Sequence, residues 1–173
     1  MLPQLPEQAD PRRLCEQGKR FEGRVALNKL TRLAPLLTSS EGEAAFQLAF
    51  DQDEQGRLRI RGHVVADLQL RCQRCMESMR LPVDMAFVLS PVSGMREAEM
   101  LPEPYDPLLL EERLLHPMDL VEDELILAIP PAPRHAATEC AVDLEQYRGA
   151  PEAVESAQRE NPFAALKQLK RDH

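Results

Sequence analysis

Cys72 and Cys75 stand two residues apart in Leu70-Arg71-Cys72-Gln73-Arg74-Cys75-Met76, a spacing that lets two thiolates grip one metal ion. His135 and Cys140 could supply the other half of a site, from a segment that follows Pro130-Pro131 and is free to fold back. Three thiolates and an imidazole would complete a tetrahedral shell and leave no position open for water. That is the signature of a structural zinc, not a catalytic one. The competing reading leaves Cys72 and Cys75 reduced and partly buried, with His135 and Cys140 as ordinary loop residues, and the H-x4-C half is an uncommon spacing. A redox C-x-x-C fits less well, because that motif opens a helix in a βαβ setting and this one joins two strands. His63, His116 and His173 suggest no second site, and no Ser-His-Asp order, glycine-rich phosphate loop or H-E-x-x-H is present.

Two further sets of residues could carry recognition. Arg57, Arg59, Arg61 and Arg71 fall on one face of a strand, with Arg74 and Arg80 beside the following turn, and together they could meet RNA phosphates. An ordinary solvated sheet face explains them equally well. Glu122, Asp123 and Glu124 crowd one turn of a helix, where capping and solvation are the usual reasons for acids, set against a metal-dependent hydrolase or a surface for a basic partner. The chain has 173 residues and carries 21 Lys and Arg against 29 Asp and Glu, a formal charge of -8. At long range that balance repels RNA and favours a basic protein. Aromatic residues make up only 4% and Trp is absent, so platforms for stacking bases are scarce.

The positioning elements follow from periodicity. Three segments alternate with period two: Ala44, Phe46, Leu48, Phe50; then Leu58, Ile60, Val64, Ala66, Leu68, Leu70; then Met79, Leu81, Val83, Met85, Phe87, Leu89. Gly62 and Val65 interrupt the second, and Pro82 predicts a locally unpaired edge in the third. Short polar turns join the three, which predicts an antiparallel meander. Apolar residues at Val25, Leu27, Leu30, Leu33, Leu36 and Leu37 predict an amphipathic helix. Pro and Gly recur from Ser90 to Pro107, which predicts a long surface loop. A second helix starts at Pro117-Met118-Asp119 and stops before Pro130-Pro131. The expected fold is α+β: a meander of at least three strands, covered on one face by helices, with a proline-rich loop and a C-terminal tail helix. Its parts are an arm over 1–20, a core over 21–144, and a tether with tail helix over 145–173. Asn161 caps that last helix, Pro162 opens it, and Phe163, Leu166 and Leu169 form an apolar stripe that could dock a partner. No apolar run approaches the roughly 20 residues of a membrane span, and the N-terminus lacks the pattern of a secretory signal, so a cytoplasmic protein is expected.

Several blocks in order resemble one known family. They are Cys72-Gln73-Arg74-Cys75, Phe87-Val88-Leu89-Ser90-Pro91-Val92, Leu101-Pro102-Glu103-Pro104-Tyr105-Asp106-Pro107, Val121-Glu122-Asp123-Glu124-Leu125-Ile126-Leu127-Ala128-Ile129-Pro130 and Asn161-Pro162-Phe163-Ala164-Ala165-Leu166. Together they resemble the YceD-like family, the large ribosomal RNA subunit accumulation proteins. The resemblance implies a non-catalytic ribosome-biogenesis factor that supports accumulation of large-subunit (23S) ribosomal RNA. Its implied partner is a basic ribosomal protein of the large subunit or a pre-ribosomal particle, held by the acidic surface and the tail. Direct RNA binding through the arginine face is the second reading, and an enzyme acting on RNA is the third, for want of an acid, base and metal constellation. Members of the family tend to carry cysteine pairs in both halves of the metal site, whereas here His135 precedes Cys140.

Overall fold

The computed structural model describes residues 5–110, 113–136 and 138–142. The tether and tail, with Asn161, Pro162, Phe163 and Leu166, lie outside the described residues. The elements run α1 (Pro11–Glu16), β1 (Arg20–Ala26), β2 (Glu43–Gln52), β3 (Leu58–Arg71), β4 (Ser78–Val92), α2 (Met95–Ala98), β5 (Asp106–Leu109) and α3 (Pro117–Leu127). They belong to one compact unit that ends at Cys140. The five strands form one sheet in the order β1-β2-β3-β4-β5. The first four make an antiparallel meander, and β5 joins β4 in parallel. The class is α+β, with few helices.

The alternation read in the sequence for β2, β3 and β4 is followed in the structure, with Leu58, Leu81 and Met85 only partly buried against the core. Ala44, Phe46, Leu48, Phe50, Ile60, Val64, Ala66, Leu68, Leu70, Met79, Val83, Phe87 and Leu89 are all buried in one apolar cluster. Gly62 does not break the pattern: it occupies an inward position opposite Leu48 and Phe87 and is itself buried. Pro82 pairs only with Asp67, and β5 reaches β4 only at Leu89 to Val92, so the other side of Pro82 is open among the described residues.

The helix predicted over Val25 to Leu37 is not formed. Arg20–Ala26 is a strand, in which Phe21 and Val25 face inward while Arg20, Glu22 and Arg24 face out. Two 3-10 turns follow, Leu27–Lys29 and Ala34–Leu36. Leu27 and Leu36 lie in these turns, and Leu30 and Leu33 lie in the link between them. Leu27, Leu30 and Leu33 are fully buried, whereas Leu36 is half exposed.

Within the segment read as an arm, Pro11–Glu16 forms α1. Asp10 accepts from the amides of Arg12 (3.0 Å) and Arg13 (3.4 Å), Pro11 takes the first helical position, and Pro11 and Cys15 are buried. The segment from Ser90 to Pro107 is not a continuous loop. β4 runs on through Ser90, Pro91 and Val92, all buried, and the Ser90 hydroxyl donates to the Leu58 carbonyl at 2.9 Å. The remainder holds α2 and the start of β5, with irregular backbone at 93–94 and 99–105.

Candidate metal centre

β3 ends at Arg71 and β4 begins at Ser78, so Cys72 to Glu77 form the connection between the two longest strands. The Cys72 amide donates to the Glu77 carbonyl and the Met76 amide to the Cys72 carbonyl, each at 2.9 Å. This tight closure forces Met76 to a φ of 64°, a left-handed conformation rare for a residue with a side chain. The Arg74 amide points at the Cys72 sulfur, 3.4 Å away. Cys72 is wholly buried, as its parity on β3 predicts, and Cys75 is half-buried.

The second half arrives from the segment after α3. The Gln73 amide donates to the Pro133 carbonyl at 2.8 Å, which lays residues 133–135 beside the turn. His135 Nε2 lies 3.2 Å from the Ser78 carbonyl. A carbonyl only accepts, so Nε2 carries a proton, and Nδ1 is left facing Cys75 Sγ at 3.4 Å. A metal-binding histidine is held in this way, one ring nitrogen tied to a carbonyl and the other presented to the ion. Sγ of Cys72, Cys75 and Cys140 and a ring nitrogen of His135 all lie within 4.8 Å of one another. Zinc–sulfur bonds near 2.3 Å set edges of roughly 3.7 Å between ligand atoms, so small shifts would close the shell. The donor set therefore fits a metal site.

Cys72 and His135 shift in opposite directions, as a thiolate beside an imidazole requires. Burial opposes ionisation of Cys72, but hydrogen bonds from Cys75, His135 and Arg74 outweigh it and bring the thiol down to about 5. The hydrogen bond to Cys72 raises His135, against the opposing effect of burial, with Cys75 and the Ser78 carbonyl adding to the rise. Cys15, the fourth cysteine, stands apart: its thiol faces the Arg59 carbonyl in the core, and burial pushes it up to about 11.

The chain matches the family model described as large ribosomal RNA subunit accumulation protein YceD over residues 60–170. It is also 36% identical over 169 residues to a protein of that name from Haemophilus influenzae, covering 96% of each chain. This chain belongs to the YceD family. No solved structure matches it. The family match spans both halves of the four-ligand cluster, from β3 through Cys140.

The remaining residues singled out in the sequence are placed as follows. Arg59 Nε lies 2.7 Å from Asp51, Arg61 binds the other oxygen of Asp51, and Arg57 pairs with Asp53 at 3.3 Å. Arg80 takes Asp67 at 2.7 Å through two parallel bonds. The outward face of the sheet is thus a lattice of cross-strand ion pairs, and much of its charge is neutralised internally. Arg71 and Arg74 form no ion pair among the described residues, and Arg74 Nε is buried without a hydrogen-bond partner. Sequence reasoning overlooked Arg134; only the Gln73–Pro133 contact, which no spacing rule reveals, brings it to the turn.

On α3, Glu122 is turned inward. Its Oε1 accepts from the amides of Arg32 (2.7 Å) and Leu33 (3.0 Å), and Oε2 accepts from Arg32 Nε (3.2 Å). Asp123 takes another guanidinium nitrogen of Arg32. Glu122 therefore ties the leucine-rich 3-10 segment to the helix. Glu124 is also buried, and burial raises its pKa, helped by the Asp106 and Asp123 carboxylates. These two carboxylates should respond oppositely to neutralisation. Glu122→Gln keeps an acceptor for the two amides but weakens the Arg32 pair, and should cost about 1–2 kcal/mol. Glu124→Gln should raise Tm at neutral pH. The folded state holds the Glu124 proton more tightly than the unfolded chain does, so ionisation costs stability as pH rises above the ordinary value of 4.5. Thermal melts across pH test this, and the gain from Glu124→Gln should vanish below that value.

Proposed function

We propose that this chain is a non-catalytic, cytoplasmic factor of ribosome biogenesis that supports accumulation of large-subunit (23S) ribosomal RNA, with one structural zinc held by Cys72, Cys75, His135 and Cys140. The supporting observation is the YceD family match, joined to a relative named for that role along nearly its whole length. The four-donor cluster adds to this, because three sulfurs and one nitrogen fill a tetrahedral shell and leave no position for an activated water. When bound, the ion supplies a cross-link and not a reactive centre. It fastens the segment after α3 to the β3–β4 connection, and Leu120, Val121 and Leu125 of α3 share one buried apolar cluster with Leu27, Leu30, Leu33 and the inward residues of the sheet. No described helix is long and apolar enough to cross a membrane.

A pre-ribosomal particle or a basic ribosomal protein of the large subunit is the partner this reading implies. Glu122 and Glu124 face inward and Asp123 is shared with Arg32, so attraction for a basic partner rests on the chain-wide surplus of carboxylates and not on the acidic turn of α3. The tail residues Asn161, Pro162, Phe163 and Leu166 supply the docking element in the same proposal. Depletion of the protein in its own cells should lower the ratio of large- to small-subunit ribosomal RNA, and re-expression of the intact chain should restore it. An unchanged ratio in fully depleted cells would overturn the reading.

A further inference from the structure

The cations that the strand face neutralises internally are matched by unpaired ones at the metal end. Arg71 closes β3 exposed, Arg74 lies inside the turn, and Arg134 is exposed on the segment held against it by the Gln73–Pro133 bond. None of the three forms an ion pair among the described residues, and Arg74 Nε is not spent on any acceptor of the protein. In the same turn, Met76 is 58% exposed and held outward by its positive φ and the two backbone bonds of the closure. Backbone held in the left-handed region at a residue with a side chain is found at ligand clamps and binding sites, which singles out Met76 among the exposed apolar residues. The chain's net charge of -8 means that a nucleic acid must be met by a local patch, and here the patch coincides with a turn closed by two backbone hydrogen bonds.

The structure assigns a single-stranded RNA contact to this metal turn, with phosphates on Arg71, Arg74 and Arg134 and a base laid against Met76. This rests on the ribosomal RNA role and the metal site proposed above. Zinc knuckles serve RNA recognition elsewhere by the same means, a metal-stiffened turn offering backbone, cations and an apolar surface to unpaired nucleotides. Glu77 and Glu139 flank the ligands, so the cationic strip is narrow. It suits a few successive phosphates of one strand better than a duplex, which needs contacts spread over many base pairs.

Fluorescence anisotropy of a short labelled oligouridylate, with the intact zinc-supplemented chain, tests the assignment. Binding should weaken with salt at a log–log slope of roughly -2, as three phosphate contacts require. Arg71→Glu with Arg134→Glu should lower affinity at least about tenfold, while Arg59→Gln with Arg61→Gln should change it less than about twofold. Melting temperature and zinc content are measured on the same samples. A folded, zinc-loaded Arg71→Glu/Arg134→Glu chain that binds like the wild type overturns the RNA surface and leaves the metal standing. Loss of binding in that variant from a chain that never held zinc retires the metal and keeps the surface. Sensitivity confined to Arg59 and Arg61, or binding of an oligoglutamate peptide in place of RNA, overturns the assignment.

Discussion

A Cys140→Ser chain is expected to purify without stoichiometric zinc and to lose hydrogen-exchange protection between residues 130 and 140 while the sheet stays intact. Cys140 is the ligand to choose because it is only half-buried; Cys72 is wholly buried, and a hydroxyl there would perturb the core as well as the metal. The segment after α3 has little of its own to keep it in place. Its described attachments to the β3–β4 connection are the Gln73–Pro133 bond, the His135–Ser78 bond and the ligand cluster itself. An ion bound a thousandfold above its dissociation constant adds about 4 kcal/mol to the closed state. Its loss should therefore raise the opening of this segment by roughly a thousandfold. β1 to β4 pair over long registers and bury their own apolar face without help from the ion, so the amides of Ile60 to Leu70 should keep their protection. Metal analysis of the wild type with exchange mass spectrometry of both chains checks this. Equal protection of residues 130–140 in a zinc-free and a zinc-loaded chain would end the cross-link idea.

How far the sequence discloses this molecule depends on the kind of signal each residue leaves. Period-two alternation is written directly into β2, β3 and β4, because a half-buried strand must expose every second side chain. The two halves of the four-donor cluster were legible because C-x-x-C spacing within a turn is local, and His135 and Cys140 were the remaining residues of the right chemistry after the α3 stop. What failed was the discrimination between periods that resemble each other. Leucines at 27, 30 and 33 suit an α-helix at a glance, yet Leu27 lies in a 3-10 turn and Leu30 and Leu33 in the link to the next one. β1 escaped notice because its middle inward position is Gly23, which leaves Phe21 and Val25 as isolated apolar residues. The inward turn of Glu122 was hidden for a different reason. Its partners are backbone amides at Arg32 and Leu33, some ninety residues away in sequence, and no local pattern records them.

Gly62→Ala is expected to destabilise the protein by about 1–3 kcal/mol, although alanine is the smallest possible addition. Gly62 needs no unusual backbone conformation, so the cost is one of space alone. A Cβ built there would sit 1.9 Å from Cζ of Phe87 and 2.3 and 2.4 Å from the adjacent ring carbons. Phe87 is the cross-strand partner of Gly62, and its ring lies over the glycine, filling the place that a side chain would take on the inward face. A milder version recurs at Gly23, where the ring tip of Phe46 would be 3.0 Å from an added Cβ. The two phenylalanines thus complete inward rows that the sequence interrupts with a glycine. Moving the Phe87 ring means displacing a buried side chain from a packed core, which no exposed rotamer can absorb. Removing the ring instead should relieve the clash. Phe87→Leu alone should destabilise, because it uncovers Gly62 and leaves a void, but Gly62→Ala in that background should cost much less than in the wild type. A double-mutant cycle by urea denaturation should therefore show a coupling above about 1 kcal/mol between the two positions. Additive effects would mean that the glycine is there for some reason other than the ring.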